Sequence, residues 1–286
     1  MTTHFSSGVT NVKGKGLGTS LFSGIKQPLI TGATTPAEVA YQNDFVIYNA
    51  SDWDVTSGGS SDYQLADYAG GWLRLGDDNP AHTEITGISS KEVWNYNANK
   101  LWYYETRIAV TDVSDLNFFV GFADDGFVDP ATVPTDCIGF SHLEATTTIQ
   151  FLSRKNSAGT SFTMLEAGST YALADSTVAT QDATTFEMPD NDVRLGFMFQ
   201  PVGSGYGNTA IQYQLFINGT VSGVQAATTV PDDIALELKV FIEHTGTNAN
   251  QLSTDYIERF NKDNKIILSS FGSSRLRRIK LWVHTQ

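Results

Sequence analysis

The sequence predicts an all-β fold, a two-sheet antiparallel jelly roll preceded by an extended N-terminal arm. Apolar residues recur at period two in segment after segment, which lines them up on one face of a strand. Turn formers separate those segments, and Asn218-Gly219 is the dipeptide that suits a two-residue hairpin, because both central positions need positive φ. No repeat at a period of roughly 20–50 residues is present, which sets propellers and solenoids aside. Only the stretch 36–41 is compatible with a helix. With 286 residues, 41% hydrophobic and 17% charged, the chain has the apolar material for a packed core.

In chain order, residues 45–48, 72–75 and 83–85 are short strand candidates. Trp102, Tyr104, Thr106, Ile108 and Val110 then alternate with Tyr103, Glu105, Arg107 and Ala109, the pattern of a long strand with one strongly apolar face. Phe118, Val120 and Phe122 repeat the rhythm, and 138–141, 147–152 and 162–165 follow as shorter strands. Three longer alternating runs come next: Leu195, Phe197 and Phe199; Ile211, Tyr213, Leu215 and Ile217; and Leu236, Leu238, Val240 and Ile242. Each reads as a half-buried antiparallel strand, one face in the core and one in water. Residues 256–260, 266–268 and 279–283 end the series, the last beside Arg275, Arg277, Arg278 and Lys280, which give it a basic outer face.

Charge divides the chain unevenly. Residues 1–37 carry Lys13, Lys15 and Lys26 and no acid, whereas the rest of a chain of net charge −13 holds every carboxylate. A net charge of that sign argues against nucleic acid or an anionic membrane as the main partner. The division expected is a Gly/Ser/Thr-rich arm over 1–40 and a β-sandwich over 41–286. Phe5, Val9, Val12, Leu17, Leu21 and Phe22 are scattered through the arm at no fixed period, so it builds no core alone and is expected to order on a partner. The single cysteine, Cys137, excludes an internal disulfide, a thiolate zinc site and a Cys-x-x-Cys redox pair. The first residues lack the layout of a signal peptide, so folding in the cytosol is expected, and Asn49-Ala-Ser51 and Asn218-Gly-Thr220 read as turns rather than glycosylation sites.

Leu101-Trp-Tyr-Tyr-Glu-Thr-Arg-Ile-Ala-Val110 followed by Asn117-Phe-Phe-Val-Gly-Phe-Ala123 resembles the paired central strands of concanavalin A-like jelly rolls, the class of legume lectins, laminin G domains and glucanases. Val193-Arg-Leu-Gly-Phe197, Tyr213-Gln-Leu-Phe-Ile-Asn-Gly219 and Leu252-Ser-Thr-Asp-Tyr-Ile-Glu258 extend that resemblance over about residues 43–260. A second resemblance lies in the arm. His4-Phe-Ser-Ser-Gly-Val-Thr-Asn-Val12, Gly14-Lys-Gly-Leu-Gly18 and Asp44-Phe-Val-Ile-Tyr48 are similar to the openings of decoration and auxiliary capsid proteins of tailed, marine and cyanobacterial phages. It implies a non-enzymatic virion protein on the capsid exterior, assembled in the host cytoplasm. Its arm would grip the major capsid protein lattice through Phe5, Val9, Val12, Lys13, Lys15, Leu17, Leu21, Phe22 and Lys26, with oligomerisation adding avidity. The alternatives are a glycan-binding adhesion module displayed on the same particle and, further off, a glycoside-acting enzyme.

The residues that could carry chemistry are few. Glucanases of this class set acids at i, i+2 and i+4 on one strand, and no Glu here has an acid at i+2, so no catalytic residue and no cofactor are expected. Glu105 and Arg107 read as an ion pair on a solvated sheet. His142-Leu-Glu144 and His82-Thr-Glu84 lack the downstream cysteine pair of a zinc deaminase, and Gly14-Lys-Gly-Leu-Gly18 lacks the strand and helix of a phosphate loop. Asp124, Asp125 and Asp129 form the best calcium candidate, set against a solvated acidic turn. Tyr63, Tyr68, Trp94, Tyr96 and Tyr206 sit in Gly/Ser/Asn-rich surroundings and are the candidate glycan-stacking aromatics, set against anchors of the core.

Overall fold

The computed structural model describes residues 38–43, 51–57, 64–66, 72–77, 85–96, 101–144, 146–177, 180–181, 186–187, 189–201, 211–226, 229–245 and 250–262. These form β1 (Glu38–Asn43), β2 (Trp53–Ser57), β3 (Gln64–Ala66), β4 (Trp72–Asp77), β5 (Ile85–Asn95), β6 (Leu101–Val110), β7 (Leu116–Ala123), β8 (Cys137–His142), β9 (Gln150–Lys155) and β10 (Ala158–Thr163). After them come β11 (Leu165–Glu166), β12 (Ser169–Thr170), β13 (Thr180–Gln181), β14 (Phe186–Glu187), β15 (Val193–Gln200), β16 (Gln212–Ile217), β17 (Thr220–Ala226), β18 (Ala235–His244) and β19 (Asn250–Lys262). No helix occurs among the described residues. The arm residues 1–37 and the strand candidates 45–48, 266–268 and 279–283 lie outside them.

Two antiparallel sheets stack face to face. One runs β17-β16-β15-β6-β19-β4-β3, with β1 added to β19; the other runs β10-β9-β8-β7-β18-β5-β2. The stretch compatible with a helix is instead β1, whose Glu38–Asn43 pairs antiparallel with Ile257–Lys262 of β19. Local helical preference is weak, and a ladder of main-chain hydrogen bonds overrides it. Asn218 and Gly219 have φ of 49° and 75°, the two-residue turn the sequence predicts, and Asn156-Ser157 closes β9–β10 in the same way at 51° and 64°.

The inner faces meet in an aromatic layer. Tyr104 of β6 lies 5.4 Å from both Phe122 of β7 and Phe197 of β15, and Phe151 of β9 reaches Tyr213 of β16 at 4.9 Å. Ile108, Leu195, Leu215, Val120, Ile138, Leu238, Val240 and Ile242 fill the space around these rings, all fully buried or nearly so. Each such side chain contributes about 1.5–3 kcal/mol by leaving water. A polar contact crosses the layer where Ser153 Oγ meets the Tyr213 hydroxyl at 3.0 Å, and within one sheet Thr106 Oγ1 of β6 meets Thr254 Oγ1 of β19 at 3.3 Å.

The central strands depart from the half-buried expectation, because their outer faces are buried as well. On β6, Tyr103 is 1% exposed and Glu105 2%, and every residue of β7 is buried. Seven-stranded packing is tight enough to need glycine. Gly121, at φ 149°, sits opposite Gly139 across β7 and β8. A Cβ on Gly139 would lie 2.6 Å from the Val120 carbonyl oxygen and 2.9 Å from both Gly121 Cα and the Phe119 ring. Gly139→Ala should therefore destabilise the fold by about 1–3 kcal/mol, read as a lower melting temperature and denaturation midpoint; an unchanged midpoint would contradict this packing.

Candidate functional site

Several strands end at one rim of the sandwich and place aromatic side chains there. Tyr96, just after β5, is 3% exposed and stacks on Trp102 at the start of β6, with ring centroids 4.5 Å apart; Phe199 of β15 meets Tyr96 edge-on at 5.2 Å. Of the expected glycan-stacking aromatics, Tyr96 is thus a core ring and unavailable to a ligand. Trp94 differs. It is half-buried and packs against the main core, as Ile211 does. Tyr63, Tyr68 and Tyr206 lie outside the described residues.

The register carries the rim further. Leu236 pairs with Trp94 and Ala235 with Asn95, so the segment leading into β18 arrives beside them. That segment brings Ile234, 39% exposed, together with Asp232 and Asp233. Lys155, at the end of β9, reaches Asp232 at 2.7 Å and Asp233 at 3.3 Å, and Asn156 Nδ2 donates to Asp233 at 3.2 Å. The hydrogen bond to Asp232 raises the Lys155 ammonium above its ordinary range, which keeps it charged. The rim thus combines an indole, an exposed aliphatic side chain, two carboxylates, an amide and an ammonium. These are the groups that stack on a sugar face and bond its hydroxyls.

The remaining candidates resolve differently. Arg107 is held by both oxygens of Asp192, at 2.5 and 2.9 Å, and its guanidinium lies 4.9 Å above the Trp72 ring. Glu105 is buried on the same face, so the sheet surface there is not the solvated one the sequence predicts. Asp124, Asp125 and Asp129 belong to the connection 124–136, where they serve the backbone. Asp124 accepts from Asp136 N at 3.3 Å, Asp129 accepts from Ala131 N at 2.9 Å, and the Asp125 carbonyl accepts from Lys239. Among the described residues no group of three acidic, His or Cys side chains is arranged to hold a metal ion. His142 is fully buried with its ring nitrogens 3.0 and 2.9 Å from the Thr148 and Val113 carbonyl oxygens.

One carboxylate escaped the sequence reading. Glu243 of β18 accepts from Asn117 Nδ2 at 2.7 Å, and Asn117 Oδ1 accepts from Glu144 N at 2.8 Å. Burial raises the Glu243 carboxyl above its ordinary value against the pull of the Asn117 bond, and the charges of Asp129 and Glu144 raise it further. Alternation had assigned it to a wet face; the only sequence signal was a polar pair, Asn117 and Glu243, interrupting strands otherwise rich in apolar residues. Glu237 on the same face stands six residues away, about 20 Å along a strand, whereas paired glycosidase carboxylates stand about 5–9.5 Å apart.

No family model and no curated protein matches this sequence. Solved structures do resemble the fold. The carbohydrate recognition domain of Emp47p superposes with a TM-score of 0.52 at 8% identity, covering 81% of this chain and 100% of that one. The β-glucanase of Bacillus licheniformis gives 0.47 at 16% identity, covering 77% and 97%. A carbohydrate esterase of the Shiga toxin-encoding bacteriophage phi24B gives 0.40 at 13% identity, covering 75% and 92%. At such identities the likeness is one of fold: the chain is an all-β, concanavalin A-like jelly roll, as its sequence predicts.

The raised Glu243 carboxyl has a signed consequence. A carboxyl that binds its proton more tightly when folded than when unfolded loses stability as pH rises from the ordinary carboxylate value, 4.5, through the folded one. Glu243→Gln keeps the acceptor without the charge. Its melting temperature relative to wild type should therefore climb as pH rises through that window and level off above it, and a pH-independent difference would contradict the assignment.

Proposed function

We propose that this protein binds glycan through the strand-end rim around Trp94. The observation that carries the reading is the indole itself, half-buried against the core at the strand end where Tyr96 stacks on Trp102, on the same rim as Ile234, Asn156 and the Lys155–Asp232–Asp233 cluster. A braced aromatic gives up little entropy when a sugar ring lies on it, and the charged groups around it supply donors and acceptors for hydroxyls. The structural neighbour with the best superposition reported above is described as a carbohydrate recognition domain, which supports the same ligand class. Attachment to a capsid lattice through residues 1–37, expected from the resemblance of the first residues, is a finer reading to which the fold comparisons lend nothing. Display on a virion, oligomerisation and a host surface glycan as ligand stand or fall with it.

Binding is tested by titrating a panel of oligosaccharides into the full chain by calorimetry. Trp94→Ala should weaken whichever oligosaccharide binds by about tenfold or more, near 1.4 kcal/mol, while the melting temperature falls by only a few degrees. Undiminished affinity in that variant, or no binding by wild type across the panel at millimolar concentration, would overturn the proposal. Release of reducing sugar that Glu243→Gln abolishes would move the reading from a binding module to an enzyme.

A further inference from the structure

Over β7 and β18 the outer face of the seven-stranded sheet is covered by the chain's own connection between β7 and β8, residues 124–136. Its two ends are tied to each other: Asp124 N donates to the Asp136 carbonyl at 3.0 Å and Asp136 N donates to Asp124 Oδ1 at 3.3 Å. Its interior bonds are its own turns, Phe127 N to the Asp124 carbonyl and Thr132 N to the Asp129 carbonyl, each at 3.1 Å. Beyond those ties, Ser157 N donates to the Thr135 carbonyl at 2.9 Å and Asn156 N to Asp136 Oδ1 at 2.9 Å, both next to the same end.

Against the sheet itself the connection makes two principal contacts. Phe127, 6% exposed, meets Phe119 edge-on at 5.1 Å and Phe241 at 6.3 Å. Those two rings lie over glycine: a Cβ on Gly87 would fall 2.3 Å from Phe241, and one on Gly139 2.9 Å from Phe119. The second contact is Lys239. Its ammonium, on a residue 1% exposed, donates to the Asp125 carbonyl at 2.9 Å, lies 3.0 Å from Glu237 Oε2 and 3.4 Å from Ser89 Oγ, and sits 5.6 Å from the Phe241 ring. Three donors thus have three acceptors, two on the sheet and one on the cover. Meanwhile Asp125, Gly126, Val128, Ala131, Thr132 and Val133 face solvent.

We propose that residues 124–136 are a hinged cover, latched by Lys239, which opens as a unit while the sandwich beneath it stays folded. The hinge is the Asp124–Asp136 end, where the bonds between the two ends and to the β9–β10 turn survive opening. The latch is the Lys239–Asp125 bond, and the Phe127 ring is the wedge that must leave with it. A desolvated ammonium that finds its third acceptor only on a surface segment ties one conformation of that segment to the sheet, the role in which buried charge sets specificity rather than bulk stability. Opening of this kind is a local event, separate from global unfolding.

The molecule carries its own reporter. Cys137, fully buried, packs in one cluster with Phe119, Ala123, Leu152 and Phe127 of the cover, and it is the sole cysteine of the chain. The test is the rate at which an aromatic disulfide reagent modifies Cys137 in the native full-length protein, as a function of denaturant. Local opening predicts a wild-type rate independent of low denaturant concentrations. It also predicts at least tenfold faster modification in Lys239→Met and in Phe127→Ala, with hydrogen exchange accelerated in 125–135 and not in β7 or β18. A wild-type rate that rises with the denaturant dependence of global unfolding would overturn the proposal and needs no variant to fold. So would folded variants that react no faster than wild type.

Discussion

The central strands of this jelly roll are buried on both faces, and that constraint decides where the molecule can meet anything else. An antiparallel sheet usually keeps one wet face. Here β6 buries Tyr104 and Ile108 inward and Tyr103 and Glu105 outward, while β7 buries all of its residues. The cost falls on the backbone: Gly121 and Gly139 must face each other across β7 and β8 because no side chain fits between them. The sheet surfaces over β6 and β7 are thereby closed, while β2, β10 and β17 and the strand ends keep exposed groups.

That rim inherits its rigidity from the core. Trp94 packs against the core that contains Tyr96 and Trp102, rings continuous with Phe199 and Tyr213, and Tyr213 is fixed through Ser153 to the Thr229 carbonyl at the start of the segment carrying Asp232, Asp233 and Ile234. The same rings that hold the two sheets together therefore position the indole and the polar groups beside it. Lys155, which closes the cluster electrostatically, is placed by the tight turn at Asn156-Ser157.

Much of this architecture is legible in the sequence. Alternation located the runs through Trp102, Phe118, Leu195, Tyr213 and Leu236, and Asn218-Gly219 announced its turn, because those signals are local. Alternation could not tell which outer face is dry. Glu105, Lys239 and Glu243 read as solvent-facing until the segments covering them are known, and Phe119 and Phe241 read as the wrong side of a strand. Tyr96, with Asn-rich neighbours, left a stacking aromatic and a core anchor both open, and its ring partner Trp102 makes it a core ring. Lys155, Asp232 and Asp233 come together from connections distant in sequence, a meeting that no local pattern encodes.

The central claim, that ligand contact is confined to the strand-end rim, is tested most directly by nuclear magnetic resonance. The five tryptophan indole N–H signals would be assigned by substitution and followed while a binding oligosaccharide is added. The account predicts that the Trp94 signal shifts in a saturable way while those of Trp53 and Trp72, buried in the sheets, stay in place. Saturable shifts at Trp53 or Trp72 with Trp94 unmoved would contradict it.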